Sequence, residues 1–272
     1  HHAIISGALG SALRQDLVHR NVAKLVDNRP AAKDTREDTS LDAAVHCWSA
    51  DEARRVLEAA KTISAQMSAL YALALDTGAR KGELCALRWS DVDLDTGTLT
   101  FERTLLRGVS DKGEPTFGRL KNPKRGNPRI RKMPVNAETV ERLREHKRQQ
   151  AELKMKNRIV YKEYGLVFAK EWGDLHGRKD SLGKPLAMHN FGEREHARVI
   201  EAAGVRRIKF HGTRHTAATL MLASGVPVHE VAARLGHKDA SVTLGVYAHV
   251  SERSQVEAAR RLGEVLFGSG KQ

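Results

Sequence analysis

His211, Gly212, Thr213, Arg214 and His215 place two imidazoles and a guanidinium within one helical turn, with no carboxylate among them. Residues three and four apart share a helix face, so His211, Arg214 and His215 are expected to project to one side. A solvated surface normally intersperses acids, so this cluster points to a seat for an anion. Two histidines at i and i+4 also raise the zinc helix H-E-x-x-H. Residue 212 is glycine, however, and the general base of that motif is missing. No C-x-x-C pair exists to build a structural zinc site. No metal is expected.

Three other stretches carry chemistry. In "TGARKGELCALRW" (77–89), Arg80 follows a glycine closely and Glu83 lies three residues on. The pair reads either as a guanidinium at a helix start, oriented by a carboxylate on the same face to grip a phosphate, or as an ordinary surface ion pair. From Arg119 to Lys132 run Arg119, Lys121, Lys124, Arg125, Arg129, Arg131 and Lys132, seven cations with no acid. Such a run can lie along a nucleic-acid backbone and deliver a lysine to a phosphate, or form a solvated charged loop. In "PVHEVAARLGHKDASVTLGVYAHV" (227–250) a helix over 228–235 stops at Gly236, and a second could start at Asp239 or Ser241. That is a helix-turn-helix pattern, or else Tyr247 is a partly buried packing residue.

The elements that must position these groups are mostly helical. Ile4, Ile5, Leu9, Leu13 and Leu17 have near-helical spacing. "DNRPAAKDTREDTSLDAAV" follows, charged and almost free of large apolar residues, and fits an exposed linker. Ser49 with Glu52 forms a capping box for "SADEARRVLEAAKTI", and a further helix through "AQMSALYALALDTG" ends at Gly78. Between about 97 and 135, "GTLTFERT" and "RIRKMPV" (apolar at Ile130, Met133 and Val135) predict one small antiparallel sheet with a basic hairpin. Helices resume with "NAETVERLREHKRQQAELKMK" and "HNFGEREHARVIEAAG". The expected fold class is mainly α with a small antiparallel β-sheet.

The chain has 272 residues, enough for one large domain or two ordinary ones, and a formal charge of +13 from 46 Lys and Arg against 33 Asp and Glu. That excess favours a polyanionic partner, nucleic acid before membrane. No run approaches a membrane span and the start shows no signal peptide. Cys47 and Cys85 cannot make a disulfide framework, which fits a reducing cytoplasm. The opening "HHAIISGALGSALRQ" reads like the middle of a helix, so the sequence is expected to begin inside a longer protein.

With "TGARKGEL", "HGTRHTAATLMLASG", "LGH" and "GVYAHV" in this order, and His237 ten residues before Tyr247, the chain resembles the tyrosine recombinases over about 48 to 250. The integrases of phages and other mobile elements are the closest group. The resemblance implies that 1–27 end a truncated core-binding domain, 28–47 are a linker, 48–253 are the catalytic domain, and 254–272 form a helix or tail that can dock on a neighbouring protomer. By matching position, Arg80, His211, Arg214 and His237 are catalytic, Tyr247 is the nucleophile and Glu83 is a supporting acid. The family lysine matches Lys121 best, with Lys124 the alternative. Arg119, Lys124, Arg125, Arg129, Arg131 and Lys132 are expected on the DNA backbone. Thr213 replaces the commoner leucine.

The implied function is site-specific recombination through a 3′-phosphotyrosyl intermediate, for integration or excision of a mobile element. Neither metal nor ATP would be used. The implied partners are double-stranded attachment sites, a homotetramer on paired sites and DNA-bending accessory proteins, in a bacterial or phage-infected cytoplasm at the nucleoid. A helix-turn-helix regulator and a type IB topoisomerase are the rival readings.

Overall fold

The computed structural model describes residues 2–25, 47–109, 115–120, 130–172, 181–186 and 191–236. Lys121, Lys124, Arg125, Arg129, His237, Tyr247 and the segment 254–272 lie outside the described residues, as does most of the expected linker. The chain divides into two compact units, His1–Leu41 and Asp42–Gln272.

The first unit holds helix α1 (His2–Arg14) and a short 3₁₀ turn, Val22–Leu25. Asn21 Nδ2 donates to the Ser6 carbonyl at 2.8 Å and so folds the turn back onto α1.

The second unit is built around α3. Helix α2 (Ala50–Ile63) starts at the anticipated capping box, with the Ser49 and Glu52 side chains each accepting the other's backbone N–H. Ser64 interrupts the chain in an extended conformation and caps α3 (Ala65–Thr77) through its hydroxyl. Nearly every residue of α3 is buried, because α2, α5 (Ala137–Lys156) and α7 (Gly212–Ala223) pack around it. A helix apolar all round has to be central. Trp48, 1% exposed, ties the start of the unit to α7: its backbone N–H donates to Thr216 Oγ1 and its indole to the Arg206 carbonyl, both at 2.9 Å.

Helix α4 is one turn, Lys81–Leu84. The β region that follows forms two sheets rather than the single sheet expected. Strands β1 (Val92–Asp93), β2 (Thr98–Phe101) and β5 (Arg131–Pro134) make one in the order β1-β2-β5, and β3 (Arg103–Val109) with β4 (Pro115–Arg119) makes the other. All pairings are antiparallel. The break falls at Glu102, after which β3 leaves the β2–β5 pairing and turns to β4. Leu99 faces Met133 and Phe101 faces Arg131. The alternation of β5 therefore buries Arg131 and Met133 and leaves Ile130 exposed. Helices α6 (His196–Ala203) and α8 (Val228–Leu235) are the remaining α-helices among the described residues, and α8 stops at Gly236 as its sequence predicts.

Two polar locks hold α3 in place. Tyr71, its phenol kept neutral by burial and by nearby Glu195, bonds His196 Nδ1 at 2.5 Å, while His196 Nε2 donates to the Ile208 carbonyl. Asp76 accepts from Arg234 on α8 at 2.8 Å and from the backbone N–H of Asn136, the N-cap of α5, at 2.8 Å. One carboxylate thus joins the ends of three helices just before Gly78.

Gly78 closes α3 at φ +60°, and a Cβ there would lie 2.3 Å from Leu235 Cδ2. Gly78→Ala combines left-handed strain with displacement of α8. The expected cost is about 1–3 kcal/mol of stability, read as a lower urea midpoint at unchanged slope. An unchanged midpoint would mean that α8 does not seat on this glycine.

Candidate functional site

Where α3 ends, α4 and α7 begin and α8 ends, the fold gathers Arg80, Lys81, Glu83, Arg131, His211, Arg214 and His215. Arg80 is the residue before α4, not part of it, and its backbone is extended. Glu83, at the third helical position, reaches back to accept the Arg80 N–H at 2.9 Å and Arg80 Nη1 at 3.1 Å. The acid therefore fixes both the main chain and the side chain of Arg80, which remains 39% exposed against 1% for Glu83. This is not a surface ion pair between two mobile side chains.

The second partner of Glu83 was not anticipated. Arg131 Nη1 and Nη2 donate to its two carboxylate oxygens at 3.3 and 2.8 Å. The Arg131 guanidinium is buried, stands 5.3 Å from the centre of the Phe101 ring, and lies where a Cβ on Gly236 would meet it at 2.5 Å. The expectation that Arg131 binds the DNA backbone is corrected on that ground: it faces inward, enclosed by Glu83, Phe101 and Gly236. Lys132 is the exposed neighbour on the same strand and remains available to a polyanion. Arg119 lies in β4. For Glu83, burial alone would raise the pKa, but the hydrogen bonds and charges of Arg131 and Arg80 hold it below the ordinary 4.5. Its contribution to stability is thus present above pH 4.5 and lost as pH falls through the lowered value.

Arg214 is 4% exposed and lies in the first turn of α7. Nη1 donates to the Gly78 carbonyl and Nη2 to the Leu235 carbonyl, both at 2.7 Å. These oxygens belong to the C-terminal ends of α3 and α8, where helix dipoles favour a cation. The guanidinium has five N–H donors, so two are used for anchoring and three remain. Burial, followed by the nearby charge of Arg80, pushes its pKa down to about 9, with Glu83 acting in the opposite sense and Arg131 in the same one. Among the described residues no carboxylate lies within 4 Å of it. A cation this buried and this short of negative charge is poised for an anion.

His211 is the residue preceding α7, and its ring meets that of His215 edge-on at 5.1 Å. Its pKa is pushed down to about 4, first by burial of the ring among these groups and then by the charges of His215, Arg214, Arg80 and Lys81. One side of the residue faces solvent, so an arriving phosphate can reach the ring and reverse the shift. The expected common face is thus only partly realised. The two imidazoles meet, while Arg214 turns inward to the helix ends.

The ordered boxes are joined in the structure by the Glu83 carboxylate that Arg80 and Arg131 share, and a family profile over most of the chain decides the assignment. The chain belongs to the phage integrase family. The family profile matches residues 48–254. The integrase-family chain is 29% identical to a "Tyrosine recombinase XerC-like" protein of Caldanaerobacter subterraneus subsp. tengcongensis, over 85% of this chain and 57% of that protein. It is 28% identical to an integrase of Streptomyces ambofaciens, over 98% of this chain and 62% of that protein. This chain therefore spans less than two thirds of the length of these curated relatives. Its fold matches that of the Tn1549 transposon integrase solved in complex with circular intermediate DNA, at a TM-score of 0.60 and 18% identity over 94% of this chain and 76% of that one. Among the described residues no helix is long and apolar enough to cross a membrane.

Proposed function

We propose that this chain carries the catalytic portion of a site-specific DNA recombinase that cuts and rejoins strands through a 3′-phosphotyrosyl intermediate. The observation that carries the reading is Arg214, buried, pinned by two helix ends and without a carboxylate within 4 Å among the described residues, beside an Arg80 fixed by Glu83. Such donors are preorganised for a phosphodiester whose charge grows in the transition state. The Tyr247 phenol oxygen attacks phosphorus, its proton passes towards His211, and the P–O bond to the 5′ oxygen breaks. Lys121 or Lys124 protonates that oxygen as it leaves, and His237 hydrogen-bonds the phosphate. The phosphotyrosyl bond retains the energy of the one broken, so a second 5′ hydroxyl can rejoin the strand. Charge neutralisation comes from Arg80 and Arg214, so the scheme calls on neither metal nor ATP.

A helix-turn-helix regulator would leave this buried cluster without a role. Double-stranded attachment sites, a tetramer on paired sites, accessory bending proteins and a nucleoid location all belong to the same proposal. The test is covalent capture of nicked duplex, followed by comparison of plasmids bearing one captured site or two. Recombination that requires two sites supports the reading. Relaxation that ignores sites would replace it with a topoisomerase.

Two further outcomes follow from the chemistry. Because kcat/KM reports the free protein, and free His211 has its pKa pushed down to about 4, adduct formation should hold level from pH 8 to pH 6. Protonation would remove a base only below that range. An acid limb centred near 6.5, the ordinary histidine value, would contradict the assignment. Replacing Lys121 and Lys124 singly by alanine should give one variant slowed by about 10²-fold or more and one mild loss of binding. Equal, mild losses would mean that neither lysine protonates the leaving oxygen.

A further inference from the structure

We infer that Arg131 is a positioning residue that acts on Arg80 through Glu83 and supports the end of α8 from beneath Gly236; the inference rests on the recombinase reading for its catalytic consequence. Four observations carry it. The Arg131 guanidinium spans both oxygens of Glu83, a carboxylate that also accepts the backbone N–H and the Nη1 of Arg80. Glu83 is 1% exposed and Arg131 is 8% exposed, so water offers neither an adequate substitute. On its other side the guanidinium fills the space beneath Gly236: a Cβ there would lie 2.5 Å from Nη1 and 2.9 Å from Cδ. Gly236 directly precedes His237, and the Leu235 carbonyl just before it is bound to Arg214 at 2.7 Å. The last turn of α8 thus lies between two guanidiniums, one reaching its carbonyl and the other packed under its glycine.

This arrangement gives β5 a task besides pairing. Arg131 belongs by sequence to the basic run from Arg119 to Lys132, yet its side chain ends at Glu83, so this strand also sets the Arg80 fork. Lysine cannot reproduce the hold. It offers one ammonium where the carboxylate now receives two donors, and it has no planar group to fit under Gly236.

The experiment uses Arg131→Lys, Arg131→Met and Gly236→Ala, each compared with wild type in single-turnover adduct formation on nicked duplex. Saturating rate and half-saturating DNA are read separately. A positioning role predicts a fall in rate of about 30-fold or more for Arg131→Lys, more for Arg131→Met, and a change in half-saturation below about 3-fold. A backbone-contacting cation predicts the reverse, weaker half-saturation at unchanged rate, and that result overturns the inference. A second readout does not need catalysis: the side-chain Nε–Hε NMR signal of Arg80, assigned by its loss in Arg80→Lys. In Arg131→Lys this signal should shift and broaden. An unchanged Arg80 signal overturns the inference even if no adduct forms. A shifted signal with wild type inactive would sustain the positioning contact and remove the recombinase reading instead.

Discussion

Replacing Arg214 by lysine is expected to slow covalent cleavage of DNA by about 10³-fold while weakening site binding by less than about 10-fold. The native guanidinium gives two donors to the Gly78 and Leu235 carbonyls and keeps three for a phosphate. An ammonium has three donors in all and no plane. It must leave a buried carbonyl unpaired or turn away from the substrate, and neither choice preserves the fork at the developing charge. Binding suffers less, because most of the affinity for a duplex comes from cations spread along the backbone. The check is single-turnover adduct formation beside a binding titration at fixed salt. A variant that loses binding and keeps its rate would place Arg214 in ground-state recognition.

Replacing Tyr247 by phenylalanine should abolish the adduct, a loss of about 10⁴-fold or greater, and leave site binding within about 2-fold. The reasoning is chemical. A phosphodiester is a poor electrophile, and a phenol of ordinary pKa near 10 attacks it only when the phosphate charge is neutralised and a base stands close. On the proposed reading Arg80 and Arg214 would meet the first condition and His211 the second, its lowered pKa leaving it unprotonated at neutral pH. Phenylalanine retains the ring and removes the oxygen that, on the proposed reading, bonds to phosphorus. Adducts that persist in this variant would assign the attack to another residue.

The helices were legible because their signals are local. The capping box at Ser49 and Glu52, the glycine stops at Gly78 and Gly236, and the Asn136 start of α5 each depend on a few adjacent residues. Arg80 and Glu83 were legible as a pair for the same reason. One of the two sequence readings, a guanidinium at a helix start oriented by that carboxylate, is the geometry found, while the hold of Glu83 on the Arg80 main-chain N–H has no signal in the spacing.

The burial of Arg131 is written in period two, because it alternates with Met133 on one face of β5 and the series continues to Val135 just past it. The neighbouring cations mask this pattern, since Arg131 also reads as one more member of their run. Its partner, 48 residues earlier in sequence, is visible only in the folded chain, where β5 has paired with β2. The anchoring of Arg214 was hidden more deeply, as its two acceptors are backbone carbonyls and carry no residue type at all. The split into two sheets at Glu102 has no composition signal either, since β2 and β3 read as one strand-like run.

The most direct test incubates the wild-type protein and Tyr247→Phe with a random library of nicked duplexes, whose short cleaved end diffuses away and traps any covalent intermediate. After denaturation, protein-linked DNA is recovered, its linkage is determined and it is sequenced. The account predicts adducts in the wild type alone, joined through a 3′ phosphate to Tyr247 and enriched for one sequence. Linkage through a 5′ phosphate, or equal adducts from both proteins, would contradict it.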